Sequence, residues 1–250
     1  MKPTATLMEA KQKPGKAIHY WLLSYGPAAV VAVAFAFFAT RLFRLISQYA
    51  VNVFFSDQWD FNNATLFQKH SPWEIFTWQH GPHRQGIGGL FAKLVEPYFG
   101  WNSRTESFVV GGVIVVAAIC ALWLKKKLYG CFSFWDVLIP ALIFVPAQYE
   151  TLFITANFAH GPFPLLLILL YCLAWTCQNR AARYSLILII NFVTIYTGFG
   201  LLLGVLTPVL LILDYRSSPE EQLPVAFFIG AILISLLSLG SFFVGYQFNA

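Results

Sequence analysis

Charge is what this chain has least of. Only 11% of its 250 residues are Asp, Glu, Lys or Arg, where a soluble domain carries about 25%. Sixteen basic against eleven acidic side chains leave a net charge of +5, and 58% of the residues are hydrophobic, with a mean hydropathy of +0.65. That balance excludes a disordered chain, a soluble enzyme of ordinary composition and a nucleic-acid binder with a basic groove. Cysteine is also scarce. Cys120, Cys131, Cys172 and Cys177 have no CxxC spacing and lie in or beside apolar runs, so they read as reduced, packed thiols and not as a disulfide frame or zinc site. There is no internal repeat, no low-complexity tract, and no inner loop long enough for a nucleotide-binding domain. Ile87-Gly88-Gly89 lacks the GK[ST] of a phosphate-binding loop, and its glycines read as a close helix-packing surface.

What is present is a series of long apolar runs. About 20 such residues cross some 30 Å of hydrocarbon. Trp21–Phe43 comes first, too long for a removed signal peptide, and follows a tail with Lys2, Lys11, Lys13 and Lys16, which the positive-inside bias keeps cytoplasmic. Phe108–Leu124 ends at Lys125, Lys126 and Lys127. Trp135–Tyr149, Pro162–Thr176, Leu186–Thr197, Gly200–Leu213 and Val225–Tyr246 complete the set. The expected fold is therefore all-α: a polytopic helical bundle of about seven spans, with residues 1–20 a cytoplasmic tail and 21–250 the membrane domain. Pro140, Pro146 and Pro208 mark the spans expected to be partial or broken. Ser103-Arg-Thr-Glu106 and Ser218-Pro219-Glu220-Glu221 read as helix starts.

The outer loop 44–102 is far longer than an ordinary connection and holds most of the concentrated polar chemistry. Ser71-Pro72-Trp73-Glu74 has the grammar of an N-cap. Ile87, Leu90, Phe91, Leu94, Val95 and Tyr98 recur at helical spacing, an amphipathic helix for the bilayer interface. Just before it stands His80-Gly81-Pro82-His83-Arg84. With Pro82 at the first helical position, His83 and Arg84 fall in the first turn, where free N–H groups and a guanidinium could cradle a phosphate; snorkelling to lipid head groups is the plain alternative. Asp57 and Asp60 share a face if their segment is helical, and a partly desolvated carboxylate there can act as a general base; capping, or pairing with Arg44 or Arg84, is the alternative. Gln148-Tyr149-Glu150 through Asn157 and His160 forms a second outer cluster, in which Glu150 and His160 are the ionisable groups nearest membrane depth. Asn63-Ala-Thr65 fits an N-glycosylation pattern.

This arrangement resembles the GT-C superfamily of membrane glycosyltransferases, which includes protein O-mannosyltransferases and lipid A aminoarabinose transferases. The likeness rests on a first span, a large outer loop opening with an acid, and short hairpins of spans. More narrowly it resembles bacterial polytopic proteins with Asp57-Gln58-Trp59 and His80-Gly81-Pro82-His83-Arg84 elements and a Pro146-Ala-Gln148-Tyr-Glu150 turn. The resemblance implies a polyprenyl-phosphate-linked sugar as donor, Asp57 as general base with Asp60 beside it, and Glu150 with Gln148 at sugar or acceptor. His80, His83 and Arg84 would hold the phosphate. It implies a bacterial plasma-membrane protein without an indicated cofactor or metal, and, since such enzymes continue with further spans, a truncated relative. Gly81 and Pro82 stand where that group usually has an acid between its histidines. A transporter or flippase of a lipid-linked intermediate, or a non-catalytic membrane subunit, are the other classes. The span interiors, nearly bare of charge, argue against ion-coupled transport.

Overall fold

The computed structural model describes residues 14–55, 58–59, 71–154, 158–198, 200–217 and 223–248. Those residues form helices and a single two-residue antiparallel ladder. In chain order the helices are α1 Pro14–Tyr49, α2 Pro72–Phe76, α3 Gly86–Val95, α4 Ser103–Tyr129, α5 Leu138–Ile143, α6 Tyr149–Phe153, α7 Pro162–Trp175, α8 Arg180–Ile195, α9 Gly200–Ser217 and α10 Val225–Phe242; the strands are β1 Gln79–His80 and β2 His83–Arg84. The all-α expectation stands.

Among the described residues four helices are long and apolar enough to cross a membrane, Tyr25–Tyr49 within α1, then α4, α9 and α10, fewer than the seven or so expected. The reason is length. At 1.5 Å per residue the 14 residues of α7 and the 16 of α8 reach only about 21 and 24 Å, short of about 30 Å of hydrocarbon. The expected run Trp135–Tyr149 is broken: a 3-10 turn at Phe134–Val137 leads into α5, which ends before Val145 and Pro146.

The helices make two packed groups. One joins α1, α4, α5 and α6 around Leu42, Ile46, Val110, Ile114, Phe144 and Leu152. The other joins α7–α10 around Tyr171, Tyr184, Ile187, Leu211 and Ala231. Ionic contacts bind the end of the bundle remote from the hairpin. Lys125 Nζ lies 3.2 Å from Asp136, and Arg183 Nη1 donates to Asp214 Oδ1 at 2.9 Å, while the Tyr184 hydroxyl donates to Oδ2 at 3.0 Å.

Local signals account for several boundaries. The Ser71 hydroxyl accepts from Glu74 N and the Glu74 carboxylate accepts from Ser71 N, the reciprocal cap its sequence predicts. At α4 the cap is Asn102, whose Oδ1 accepts from Thr105 N, and not Ser103, which lies within the helix. Gly130, at φ 76°, ends it. Residues 218–222, with the Ser218 start signal, lie outside the described residues, as does Asn63-Ala-Thr65. The four cysteines are free thiols; Cys120 is buried, but Cys131 is exposed, because α4 ends before it.

Helix α3 packs through its small residues, as its glycines predict, and its apolar stripe is divided, with Leu90 and Phe91 packed on the protein. Its protein-facing side is Gly86, Gly88, Gly89 and Ala92, whereas Leu94 and Tyr98 of the large apolar stripe are exposed. Close approach explains this: a Cβ at Gly86 would collide with the Tyr196 carbonyl, and one at Gly88 with the Ala159 side chain. Gly86 also has φ +49°, a conformation that disfavours other residues. We expect Gly86→Ala to lower stability by about 1–3 kcal/mol through overpacking and backbone strain. Gly112→Ala, which meets nothing within 4 Å, should leave it within about 0.5 kcal/mol. Thermal unfolding of the two variants in detergent checks the contrast.

Candidate functional site at the hairpin end of the bundle

Gln79–Arg84 is a hairpin and not a helix start. Gly81 takes φ 57° at the first turn position, which glycine adopts without cost, and the fixed φ of proline suits the second position. The ladder pairs Gln79 with Arg84 and His80 with His83. Side chains alternate across a strand, so the two histidines share one face while Gln79 and Arg84 share the other.

The Gln79–Arg84 face is bound to the chain leaving α10. Arg84 is buried. Its Nε donates to Phe242 O at 2.8 Å and Nη2 to Val244 O at 2.7 Å, and Nη1 donates to Thr77 O. The rings of Phe242, Tyr196 and Tyr246 lie 5.4, 5.9 and 5.9 Å from its guanidinium carbon. Burial pushes its pKa below the ordinary value, and the facing Tyr196 and Tyr246 phenols push it back up. Gln79 Nε2 donates to Gln247 O at 2.7 Å while its Oε1 accepts from Gln247 N at 2.9 Å, and the Tyr246 hydroxyl donates to Pro82 O. The guanidinium expected to face a phosphate is thus turned inward onto carbonyls.

The histidine face looks the other way. His80 stacks on Trp78 with centroids 5.5 Å apart, and His83 lies 4.9 Å from His160. His160 Nε2 is 3.4 Å from Gln85 Nε2. Gln85 is buried, and its Oε1 has no partner among the described residues. Reversing the amide would only exchange which atom is orphaned. Gly198 permits this arrangement, since a Cβ there would strike the His160 ring. The structure therefore joins the two polar segments at His83 and His160. Gln85, which stands just before α3, is the member that the sequence reading missed, because its place in the cluster depends on His160, 75 residues away.

A groove of about 280 Å³ opens beside this cluster. It is lined by Tyr49, Val51, Val53 and Phe55 at and after the end of α1, by Ser107 of α4, and by Tyr149, Glu150, Phe153 and Ile154. Glu150 is exposed and accepts a hydrogen bond from the Tyr149 hydroxyl at 3.3 Å; Gln148 ends the preceding 3-10 turn, Pro146–Gln148. Trp78 and Ile154 both pack on Ala92, so histidine face and groove share a wall. Asp57 and Asp60 lie outside the described residues, but their neighbours do not. Phe55 lines the groove, and buried Gln58 accepts from Phe55 N at 2.9 Å and donates to Ser103 Oγ at 3.1 Å. Among the described residues no cluster of three or more His, Cys, Asp or Glu could hold a metal ion.

No family model, no curated protein and no solved structure matches the chain.

Arg84→Met should lower stability by about 2–4 kcal/mol, because three carbonyls lose a charged donor and the stem alone remains packed. Limited proteolysis should then cut first in 79–85 and 243–248. Equal protease resistance in wild type and variant would contradict the anchoring role.

Proposed function

We propose that this chain is an integral membrane glycosyltransferase of GT-C type, which moves a sugar from a polyprenyl-phosphate carrier to an acceptor at the hairpin end of the bundle. The membrane would be a bacterial plasma membrane, with the amino terminus cytoplasmic. One observation carries the reading: Val51, Val53 and Phe55, which lead within two residues into Asp57, line one groove with Glu150. An apolar groove with a carboxylate at its rim suits a substrate that is half lipid and half sugar.

In this reading Asp57 takes the proton from the acceptor hydroxyl as its oxygen attacks the anomeric carbon, with Asp60 as the second carboxylate. The bond from that carbon to the phosphate oxygen breaks with inversion, and polyprenyl phosphate leaves. His80, His83 and His160 would donate hydrogen bonds to the phosphate as charge builds on it. Glu150 and Gln148 would contact sugar or acceptor. Arg84 becomes a positioning residue that holds the hairpin so that its histidine face is presented. Transport fits less well, since coupled transporters place ionisable groups within spans. The buried polar chain within α7–α9 is neutral, formed by Tyr171, Asn191 and Thr207.

Asp57→Asn in proteoliposomes with a labelled undecaprenyl-phosphate sugar should reduce transfer by roughly 10²–10⁴-fold, the usual worth of a general base, with unchanged thermal unfolding. Full transfer by that variant overturns the base assignment. Intact transfer with blocked lipid translocation across outer-loop variants would favour a flippase.

A further inference from the structure

Helix α1 continues six residues beyond Phe43, to Tyr49. Arg41, inside the expected span, and Arg44, expected to open the loop, therefore both lie on a membrane-crossing helix, eight and five positions before its end. Both are exposed, and they are one turn apart, so they lie side by side on one face. One turn farther, Ser47 O accepts a hydrogen bond from Nη2 of exposed Arg104 at 3.0 Å, which brings a third guanidinium from α4 to the same strip. Among the described residues the ion pairs are those of Lys125 with Asp136 and of Arg180 and Arg183 with Asp214; none engages this strip.

Depth decides what it meets. Between Lys16 and Arg41, α1 carries no Asp, Glu, Lys or Arg over 24 residues, about 36 Å of helix, enough to cross about 30 Å of hydrocarbon. Arg41 and Arg44 close that stretch at the edge of the hydrocarbon, where their long stems reach the interface. On α4, Arg104 stands four residues before the apolar run that starts at Phe108. All three guanidiniums thus converge at the height of lipid phosphates, on a surface whose neighbours are the exposed faces of α1 and α4.

We infer that Arg41, Arg44 and Arg104 form a binding site for the head group of an anionic phospholipid in the leaflet at the hairpin end. Charge complementarity and the fork geometry of guanidinium toward phosphate select such a lipid over a zwitterionic one. The site is separate from the groove and stands whether or not the transferase reading does.

Native mass spectrometry of the full chain, released from vesicles of phosphatidylcholine and phosphatidylglycerol, tests it. The wild type should retain phosphatidylglycerol in preference to phosphatidylcholine. Each Arg→Gln replacement should cut that preference roughly fivefold at most, the triple Gln variant should lose it, and the triple Arg→Lys variant should keep much of it. Lys126→Gln with Lys127→Gln, at the opposite end, should leave it unchanged, and excess inorganic phosphate should not displace the bound lipid. Equal retention of both lipids by the wild type overturns the inference without any variant. So does a preference that survives in the triple Gln variant, or that falls as far when Lys126 and Lys127 are replaced.

Discussion

The hairpin end of this protein depends on one buried guanidinium. Arg84 reaches the end of α10, 158 residues away in sequence, and donates to Phe242 O and Val244 O. Helix C-termini leave carbonyls unpaired and carry a partial negative charge, so a buried cation there is doubly favoured: it supplies donors and meets the helix dipole. Three aromatic faces enclose it and keep water away. Because neighbouring strand residues point to opposite faces, turning Arg84 inward forces His83 outward. The anchoring of the last helix and the presentation of the histidines are one geometric fact.

Convergence of the outer segments then depends on missing side chains. Gly86 lets α3 approach the Tyr196 carbonyl, Gly88 lets it approach Ala159, and Gly198 leaves room for the His160 ring. Adding a methyl group at any of them would push apart the elements that bring Gln85, His83 and His160 together. The site is assembled by backbones at close range, and its polar groups are held by packing more than by charge.

Residues that act locally were legible in the sequence. The Ser71 cap, the lysine run at the end of α4 and the close-packing glycines of α3 each depend on a few neighbours. The failures have a common cause in distant contacts. Arg44 read as the start of a loop because it is charged, yet arginine is a good helix former, and α1 runs on through it to Tyr49. Pro82 suits a helix start and a hairpin turn equally, and the choice between them rests on Arg84 finding α10. Asn102 and Ser103 are both good caps. The Ser103 N–H bonds to Asn52 Oδ1 and its hydroxyl is taken by Gln58 Nε2, which leaves the capping role to Asn102. The sequence marked His160 and the His80–Arg84 element as polar segments expected on one side of the membrane, but not that His83 would meet His160 while Arg84 faced away.

The short helices α7 and α8 show how such a bundle can hold together when parts of it do not reach across the hydrocarbon. Helix α8 ends at Ile195, and there Phe76 of α2 packs over Ile195 and Tyr196, with Phe242 beside them. The α2 segment thus supplies apolar cover where the helix stops. Deeper in, Tyr171, Thr207 and Asn191 join α7, α9 and α8 through side-chain hydrogen bonds of 3.0 and 2.8 Å. The Thr207 hydroxyl also lies 2.9 Å from Leu203 O, one residue before the Gly204 carbonyl that Pro208 cannot engage. Hydrocarbon offers no driving force for apolar helices to prefer one another over lipid, so neutral hydrogen bonds and close glycine contacts fix which helices meet. That is why hydrophobic runs reveal helices in this chain but not their neighbours, and why its pairing is written in its few polar and small residues.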